Sequence, residues 1–304
     1  LGLVGDTSKI DPSRIEANRN VERVMHVAEP FKKANRSFHP ENTVVTVGDR
    51  TIGDVKLALI AGPCSVESAE QFDKVAECIA DLGLTWIRGG AFKPRTNPHS
   101  FQGLGEEALK IMKSAGDRYN LKTLTEVMDS AHCQLVADYV DGLQVGARNF
   151  QNFSLLKKIG EVTADTHQMV LYKRGFAGTI AEWLAATDYI TDHGNTNVVL
   201  CERGIRTFET ATRFTLDIAA VPVIHKQSLY PVCIDVSHPA GQRDLVPSLA
   251  KAAVAAGADS LMIEVHPNPP VALSDGPQQL TPAQFRELVA ELRELAAVLG
   301  KKIV

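Results

Sequence analysis

The 304-residue sequence lacks the features that mark several large classes of protein. No apolar run approaches the roughly 20 residues that a membrane-spanning helix needs. There is no surplus of basic residues either, since 32 Lys and Arg stand against 36 Asp and Glu, for a formal net charge of −4. Without a broad cationic face the chain cannot collect the phosphates of a nucleic acid. We therefore expect neither a membrane nor a nucleic-acid partner, and any anion site must be local.

Cysteine is scarce, and its spacing does not suggest pairing. The five cysteines form an odd set without a C-x-x-C pair: Cys64, Cys78, Cys133, Cys201 and Cys233. Free thiols in a reducing cytoplasm fit this pattern better than a disulfide framework does. Length and composition together predict a cytoplasmic α/β protein with one large domain, or one domain with a small appendage.

Eight short apolar runs alternate with amphipathic stretches along most of the chain. The runs are nearly continuous, which is typical of strands buried on both faces. They are residues 56–61, 84–89, 122–127, 141–146, 168–173, 197–202, 231–236 and 260–265. Helical patterns follow them at residues 68–82, 104–118, 131–138, 152–160, 178–192, 208–220, 245–256 and 281–299.

Eight strand–helix units predict a (β/α)8 barrel, the TIM-barrel fold, over roughly residues 55–300. A doubly wound open sheet is the competing architecture, but the first βα turn, AGPCSVES, lacks the glycine fingerprint of dinucleotide binding. Residues 43–53 predict a hairpin that turns at Gly48-Asp49 and could cap the closed bottom of the barrel. We assign residues 41–304 to the barrel. Within residues 1–40, the pattern of residues 1–28 predicts a strand, a short helix and a second strand. The segment is too short to bury a core of its own and is predicted to be the remnant of a small domain, or an arm.

Ionisable residues or metal ligands follow every predicted strand. In a (β/α)8 barrel the carboxyl ends of the strands form the catalytic face. The residues found there, in chain order, are Cys64, Arg88, Lys93, Arg95, Glu126, Arg148, Lys173, Arg174, Glu202, Arg203, Arg206, Asp235, His238, Glu264, His266 and Asp275. Loops are polar in any protein, but a complete set of eight strand ends exceeds that general tendency.

Four of these residues form a set suited to a metal ion. Cys64, His238, Glu264 and Asp275 offer sulfur, nitrogen and oxygen donors, a combination that binds divalent transition metals. They follow strands one, seven and eight, and strands eight and one adjoin when a barrel closes. The alternative is that Cys64 is a small buried apolar residue and that His238 only makes a local hydrogen bond.

A second set consists of cations: Arg88, Lys93, Arg95, Arg148, Lys173 and Arg203. Guanidinium groups bind phosphate and carboxylate in a bidentate manner, and lysine supplies a compact charge that can also donate a proton. Six cations at one mouth would repel one another unless anions occupied it, so the set predicts a substrate, or two substrates, with several negative charges. The alternative is that these side chains point outward, the role that we assign to Arg174 and Arg206.

Two further residues have open roles. Glu126 either positions a water molecule or a cation, or forms a salt bridge with one of the arginines. His266 is predicted to make a local hydrogen bond with a structural purpose.

Six motifs taken together resemble the 3-deoxy-D-arabino-heptulosonate-7-phosphate (DAHP) synthases, most closely their type Iβ subgroup. The motifs are AGPCSVES (61–68), RGGAFKPRTNPHSFQG (88–103), LQVGARNFQN (143–152), CERGIRTFE (201–209), DVSHPAG (235–241) and EVHPNPPVALSDGPQQL (264–280). The resemblance covers about residues 40–300, and the number and order of the motifs make it specific. This family is a metal-dependent (β/α)8 barrel that joins phosphoenolpyruvate to erythrose 4-phosphate in the first step of the shikimate pathway.

The resemblance implies roles for the matched residues. The ligands of one divalent ion, such as Mn, Fe, Co or Zn, would be Cys64, His238, Glu264 and Asp275. Phosphoenolpyruvate would meet Arg88, Lys93, Arg148, Lys173 and Arg203. Erythrose 4-phosphate would meet Arg95, Thr96 and Asp275. Lys93 is the candidate for proton transfer, and the catalytic set is completed by Cys64, His238 and Glu126.

Three alternative functions remain at this point. The related 3-deoxy-D-manno-octulosonate-8-phosphate (KDO8P) synthases use arabinose 5-phosphate and typically show KANRS where this chain has KPRT. KANRS does occur here at residues 33–37, before the barrel, which we interpret as coincidence. DVSHPAG also departs from the DPSHATG of the Iβ subgroup, which keeps His238 but leaves the other contacts of that loop open. A metal-dependent hydrolase and a non-catalytic anion-binding barrel account less well for the metal set and the cations together.

Residues 1–38 resemble the latter part of the ferredoxin-like domain that some Iβ members carry ahead of the barrel. In those members the domain mediates feedback inhibition by tyrosine or phenylalanine. Because its first half does not precede the barrel here, we expect that regulation to be damaged or absent. A barrel with an arm also favours assembly, and we expect a homodimer or a homotetramer.

Overall fold

The computed structural model of the chain describes residues 3, 6–24, 31, 33–95 and 97–304. Eight parallel strands pair in chain order, and the last pairs with the first to close a barrel. They are β3 (Lys56–Gly62), β4 (Trp86–Arg88), β5 (Lys122–Val127), β6 (Gly142–Val145), β7 (Met169–Lys173), β8 (Val198–Glu202), β9 (Val232–Asp235) and β10 (Ser260–Glu264). The predicted (β/α)8 barrel is confirmed.

Helices surround the barrel and bury their apolar faces against it. They are α2 (Ala69–Asp81), α3 (Glu106–Tyr119), α4 (Cys133–Ala137), α5 (Phe153–Thr163), α6 (Ile180–Thr191), α7 (Ala220–Gln227), α9 (Val246–Ala255) and α10 (Pro282–Val298). Two short helices, α1 (Pro12–Glu16) and α8 (Ser237–Ala240), lie outside this repeat. A final strand, β11 (Lys302–Ile303), runs parallel to the start of β3. None of the helices in the described ranges has both the length and the hydropathy that crossing a membrane requires.

A hairpin closes the bottom of the barrel, as predicted. Its strands are β1 (Val45–Val47) and β2 (Arg50–Ile52), and Gly48 in the turn has a φ of +59°, a value that glycine tolerates without strain. The apolar side chains of the hairpin are buried with Trp86 and the other side chains that fill the barrel interior. The interior of the barrel is therefore packed with side chains, and the hairpin covers its lower end.

The helix predicted at residues 208–220 is wrong. Residues 208–219 form an irregular loop, and α7 begins at Ala220. The carboxylate of Glu209 accepts hydrogen bonds from the next two backbone amides, at 2.7 Å each, which competes with helix formation. The loop instead folds back through an antiparallel bridge between Ile205 and Thr215. This hairpin-like path returns the chain to the barrel mouth.

The described part of residues 1–40 contains one helix, α1, and no strand. The strands predicted at the two ends of the segment fall mainly on residues 1, 2, 4, 5 and 25–30, outside the described residues. Asn35 forms a bridge with Ser228, and the Arg36 guanidinium donates to the Ser228 carbonyl oxygen at 2.6 Å. Since Ser228 precedes β9, the KANRS segment lies at the bottom of the barrel. It is therefore far from the loop that follows β4.

Candidate active site

Four predicted ligand side chains converge at the mouth of the barrel. Cys64 follows β3, His238 lies in α8 after β9, Glu264 ends β10, and Asp275 lies in the next loop. One potential ligand atom of each lies within 4.8 Å of all the others. The Cys64 Sγ is 3.5 Å from the Asp275 Oδ2, and the His238 Nε2 is 3.5 Å from the Glu264 Oε1. The structure thus brings together side chains that are up to 211 positions apart in the sequence.

Neighbouring side chains fix the orientation of two of these groups. The Glu264 carboxylate, which is fully buried, accepts hydrogen bonds from the Arg88 guanidinium at 3.1 Å and from the Gln278 amide at 2.6 Å. The Nδ1 atom of His238 lies 2.7 Å from the Asp235 Oδ2. Its Nε2 atom therefore faces the other ligand atoms.

Two residues that the strand pattern did not select, Arg213 and Gln279, contact the remaining two groups. Arg213 lies 3.2 Å from the Asp275 carboxylate and donates to the Gln278 side chain at 2.8 Å. Gln279 accepts a hydrogen bond from the Cys64 backbone amide at 3.0 Å. The only sequence signal for the two glutamines was their place at the end of the motif at 264–280.

The chemistry of this cluster fits a divalent transition metal. Burial, and then the charge of Glu264, raise the pKa of the Cys64 thiol to about 11. A cation between the ligands would favour the thiolate, which is the form that binds metal. Burial also lowers the pKa of His238, so its imidazole is neutral, as a metal ligand must be. Burial alone would raise the pKa of Asp275, but attraction to His238 when that ring is protonated, and to the permanent cations Arg213 and Lys93, brings it down to about 2.

Lys93 lies directly beside the cluster. Its side chain is 8% exposed, and its Nζ is 3.0 Å from the Cys64 carbonyl oxygen and 3.2 Å from the Cys64 Sγ. A Cβ atom on Gly90 would lie 2.6 Å from the Lys93 Cδ and 2.7 Å from the Cys64 carbonyl oxygen, so a larger residue would displace both. Gly90 therefore leaves room for Lys93.

Three further cations of the predicted set are buried around the same mouth. Arg88 contacts Glu264, as described above, and the Lys173 ammonium lies 2.6 Å from the Asp235 carboxylate. Arg203 lies against an aromatic ring, with its Cζ 4.1 Å from the centroid of Phe214. Two of these cations are paired with buried carboxylates, whereas Arg203 faces a ring that carries no net charge.

The other three residues of the predicted substrate contacts lie nearer the solvent or outside the described ranges. Arg148 is exposed, with its Cζ 6.0 Å from the centroid of Phe176. Arg95 is partly exposed and donates to the Leu273 carbonyl oxygen at 3.2 Å. Thr96 lies outside the described residues.

Arg174 was assigned to the surface, and this assignment is wrong. Its side chain is buried and forms ion pairs with Glu202 at 3.0 Å and Asp217 at 2.7 Å. The two carboxylates repay the cost of removing the guanidinium from water. Arg206, which was given the same assignment, is exposed.

The two residues with open roles can now be placed. Glu126 accepts a hydrogen bond from the Gln144 amide at 3.0 Å and makes no ion pair within the described ranges. His266 is buried, and its Nδ1 accepts the Asn268 amide at 2.9 Å, while its Nε2 lies 3.3 Å from Glu67. The Asn268 contact is local, as predicted for His266, whereas the Glu67 contact joins the loop after β10 to the loop after β3.

A closed (β/α)8 barrel with thiol, imidazole and carboxylate groups at its mouth defines a class of metal-dependent barrel enzymes. A family model described as the DAHP synthetase I family matches residues 38–299. The chain belongs to the DAHP synthetase I family, and the resemblance predicted from its motifs is confirmed.

Individual relatives agree with this assignment. The chain is 48% identical over 303 residues to the phospho-2-dehydro-3-deoxyheptonate aldolase of Thermotoga maritima, covering 100% of this chain and 88% of that protein. A 2-dehydro-3-deoxyphosphooctonate aldolase of Caulobacter vibrioides is 33% identical over 261 residues, covering 78% and 86%.

Solved structures show the same relationship. The crystal structure of the Thermotoga maritima enzyme (DAHP synthase) matches with a TM-score of 0.87 and 48% identity, covering 96% of this chain and 84% of that one. A truncated form of the 3-deoxy-D-arabino-heptulosonate 7-phosphate synthase of the same organism matches with a TM-score of 0.84 and 46% identity, covering 90% and 100%.

Proposed function

We propose that the barrel mouth condenses phosphoenolpyruvate with D-erythrose 4-phosphate and water, giving DAHP and inorganic phosphate. This is the first step of the shikimate pathway to the aromatic amino acids. The observation that carries the proposal is the position of the Lys93 ammonium, 3.2 Å from Cys64 in the four-ligand cluster, among buried cations. Membership of the DAHP synthetase I family, and the 48% identity to the Thermotoga maritima enzyme, support it.

The cations bind and orient the first substrate. Phosphoenolpyruvate carries a phosphate and a carboxylate, and it is held by Arg88, Lys93, Arg148, Lys173 and Arg203. Bidentate guanidinium contacts fix both its position and its orientation. Holding its C3 carbon against the aldehyde carbon compensates for the weak nucleophilicity of C3, because the two reactants no longer need to meet by diffusion.

The second substrate lies between the loop after β4 and the loop after β10. Arg95 and Thr96 bind the phosphate of erythrose 4-phosphate, and Asp275 meets its polar carbon chain. The Arg95 guanidinium already spans these two loops through its hydrogen bond to Leu273. That contact supports the assignment, because it places a phosphate-binding group close to the loop of Asp275.

One divalent ion, such as Mn, Fe, Co or Zn, would be held by Cys64, His238, Glu264 and Asp275. When bound there, such an ion supplies Lewis-acid polarisation of the aldehyde oxygen or of a water molecule. Lys93 donates a proton to the aldehyde oxygen as C3 attacks. Glu126 orients the water that adds to C2, and the resulting phosphohemiketal releases phosphate by C–O cleavage. The surrounding cations stabilise the negative charge throughout.

The direct test is the release of inorganic phosphate from phosphoenolpyruvate. We expect release only when erythrose 4-phosphate is added, and we expect ethylenediaminetetraacetate (EDTA) to abolish it. Arabinose 5-phosphate provides the comparison, because relatives at 32–34% identity are 2-dehydro-3-deoxyphosphooctonate aldolases. A higher kcat/KM with arabinose 5-phosphate would favour that activity instead. The absence of release with both sugars would reject the proposal.

Location and assembly form part of the same proposal. All five cysteines are free and buried, which supports a reducing compartment such as the cytoplasm. We propose a homodimer or homotetramer whose subunits each contain a barrel, residues 41–304, and a separate segment, residues 1–40. Light scattering of the purified protein measures the subunit number, and a monomeric mass at micromolar concentration would contradict the assembly.

A further inference from the structure

The surroundings of the buried Arg203 side chain differ from those of Arg174, the buried arginine that follows the adjacent strand. The Arg203 side chain is 5% exposed, and it forms no ion pair with any carboxylate of the described residues. Its side-chain hydrogen bond, to the Gly204 carbonyl oxygen, is 3.5 Å long. Arg174, which follows the adjacent strand β7, is 7% exposed and has two carboxylate partners, Glu202 and Asp217. A buried guanidinium without a counter-ion is costly unless another group stabilises it.

Two phenylalanine rings occupy the place of a carboxylate partner. The Arg203 Cζ lies 4.1 Å from the centroid of Phe214 and 4.9 Å from that of Phe176. The rings stack on each other with 5.1 Å between centroids and an angle of 6° between planes. The faces of aromatic rings attract a guanidinium through their quadrupole, yet they carry no net charge. The positive charge of Arg203 is therefore stabilised without being neutralised.

Two other arginines lie close to the Phe176 ring. The Cζ atoms of Arg148 and Arg206 lie 6.0 and 5.5 Å from the centroid of Phe176. Three guanidinium groups around one ring repel each other, and an anion placed among them would relieve that repulsion. The ring cluster therefore faces a place where a phosphate or carboxylate would be bound.

The backbone of the loop after β8 holds Phe214 at this position. The amides and carbonyls of Ile205 and Thr215 form two hydrogen bonds across the loop, at 2.9 and 3.0 Å. The Phe214 amide donates to the Pro239 carbonyl oxygen at 3.1 Å. A Cβ atom on Gly204, which has a φ of +89°, would lie 2.7 Å from the Phe214 Cβ, so glycine permits the close approach.

We propose that Phe176 and Phe214 are positioning residues, which hold Arg203 for the anionic substrate while leaving its charge available. The inference rests on the proposed function, in which Arg203 binds phosphoenolpyruvate. It also explains the contrast with Arg174, whose charge is already matched by carboxylates and which serves the fold. Burial lowers the pKa of Arg203, while the carboxylate of Glu264 raises that of Arg88 against the effect of burial. A negatively charged ligand would therefore stabilise the buried guanidinium of Arg203 more than that of Arg88.

The first test replaces one ring. In Phe214→Leu we expect the Kd for phosphoenolpyruvate, measured by calorimetry on the purified protein, to rise about tenfold. The KM for erythrose 4-phosphate should stay within about twofold, because Arg95, Thr96 and Asp275 hold that substrate. Phe214→Tyr keeps the aromatic face and should bind phosphoenolpyruvate within about threefold of the wild type. Phe176→Leu, which alters a partly exposed ring, should also weaken phosphoenolpyruvate binding.

A second experiment separates the effect of charge at position 214 from the effect of losing the aromatic ring. Phe214→Glu gives Arg203 a carboxylate partner, and we expect it to weaken phosphoenolpyruvate binding more than Phe214→Leu does. The matched control is Phe153→Leu, because Phe153 also stacks on an aromatic ring, that of Tyr189 at 4.4 Å, but in the outer helices α5 and α6. The control should leave the Kd unchanged.

The outcomes distinguish this inference from the proposed function. A wild-type Kd in both Phe214→Leu and Phe176→Leu would overturn the positioning role alone. Equal increases in the two substrates' KM values, with no rescue by Phe214→Tyr, would also overturn it, because they indicate general disruption of the mouth. A wild-type protein that neither binds nor consumes phosphoenolpyruvate would overturn the proposed function.

Discussion

At the scale of single residues, Lys93 combines burial with a position beside a thiol that is itself a proposed metal ligand. Proton transfer by a positioned side chain contributes about 10²–10⁴-fold to a rate. We therefore expect Lys93→Met to lower kcat by about that factor while metal content and melting temperature stay near those of the wild type. Lys113→Met, on the exposed side of α3, is the control. Near-normal turnover in Lys93→Met would remove Lys93 from the mechanism.

Cys64 gives a second prediction at this scale. Cys64→Ala removes the sulfur ligand, so we expect both the bound metal after dialysis and the metal-dependent activity to fall at least about tenfold. Atomic absorption and the phosphate-release assay measure the two effects. Cys133→Ala provides the comparison, because Cys133 is equally buried but lies in α4, away from the ligands. Full metal-dependent activity in Cys64→Ala would contradict the ligand set.

Residue types at the strand ends could be predicted because all parallel strands of a barrel deliver their carboxyl ends to one mouth. The three residues that hold the ligands in place, Arg213, Gln278 and Gln279, could not be predicted in this way. They lie in loops whose paths no periodic pattern determines. The prediction that Arg174 lies at the surface was wrong for a similar reason. Its burial depends on Asp217, a partner 43 positions further along the chain.

At the scale of secondary-structure elements, Gly62 permits the close approach of β3 to β4. Gly62 has a φ of +149°, and a Cβ there would lie 1.9 Å from the Arg88 carbonyl oxygen. Gly83 also has a positive φ, +66°, but a Cβ there would meet nothing within 4 Å. We expect Gly62→Ala to lower the free energy of unfolding by more than about 3 kcal/mol, and Gly83→Ala by about 1–2 kcal/mol. Denaturant unfolding checks this, and equal losses would contradict the steric argument.

Asp259 joins three elements at the bottom of the barrel. Its carboxylate accepts the Val232 amide at 2.9 Å and contacts His225 at 2.8 Å and Lys301 at 3.4 Å. Burial alone would raise the pKa of Asp259, but the hydrogen bond and charge of His225, with the charge of Lys301, hold it below the usual 3.8. The stabilisation is therefore present above about pH 4 and is lost as the pH falls through the lowered pKa.

The corresponding variant is Asp259→Asn. We expect its free energy of unfolding at pH 7 to be about 1–3 kcal/mol lower than that of the wild type. The difference should shrink below pH 4, because the wild-type carboxylate is then protonated. Urea unfolding between pH 2 and pH 7 measures it, with the exposed Asp49→Asn as control. A difference that does not change with pH would show that the charge of Asp259 is not responsible.

The elements themselves were predictable to different degrees. The eight barrel strands are buried on both faces, so their apolar runs stand out from the sequence at nearly their observed bounds. Residues 208–219 carry a helical periodicity, but the loop geometry around Glu209 and the bridge at Ile205–Thr215 override it. Periodicity describes the helical preference of a segment taken alone, whereas tertiary contacts determine the conformation of residues 208–219.

At the scale of the whole molecule, the proposed ion would connect loops from the beginning and the end of the barrel. A ligand that binds only the folded state stabilises it by about 2.7 kcal/mol at a concentration one hundred times its Kd. We expect EDTA to lower the melting temperature and MnCl2 or CoCl2 to restore it. Asp275→Asn should show a smaller shift. An identical melting temperature with and without EDTA, in protein shown to contain metal beforehand, would contradict this coupling.

The seam between β10 and β3 also determines when activity can arise during protein synthesis. Cys64 emerges from the ribosome early, but Asp275 follows it by 211 residues, and β3 has no β10 to pair with until then. A nascent chain that ends before β10 therefore carries Cys64 without the later ligands Glu264 and Asp275. Long-range pairing of this kind is slow to form and cannot begin before β10 (Ser260–Glu264) has been made. The complete set of proposed ligands therefore exists only after Asp275 has been made, and shorter chains would lack the metal site.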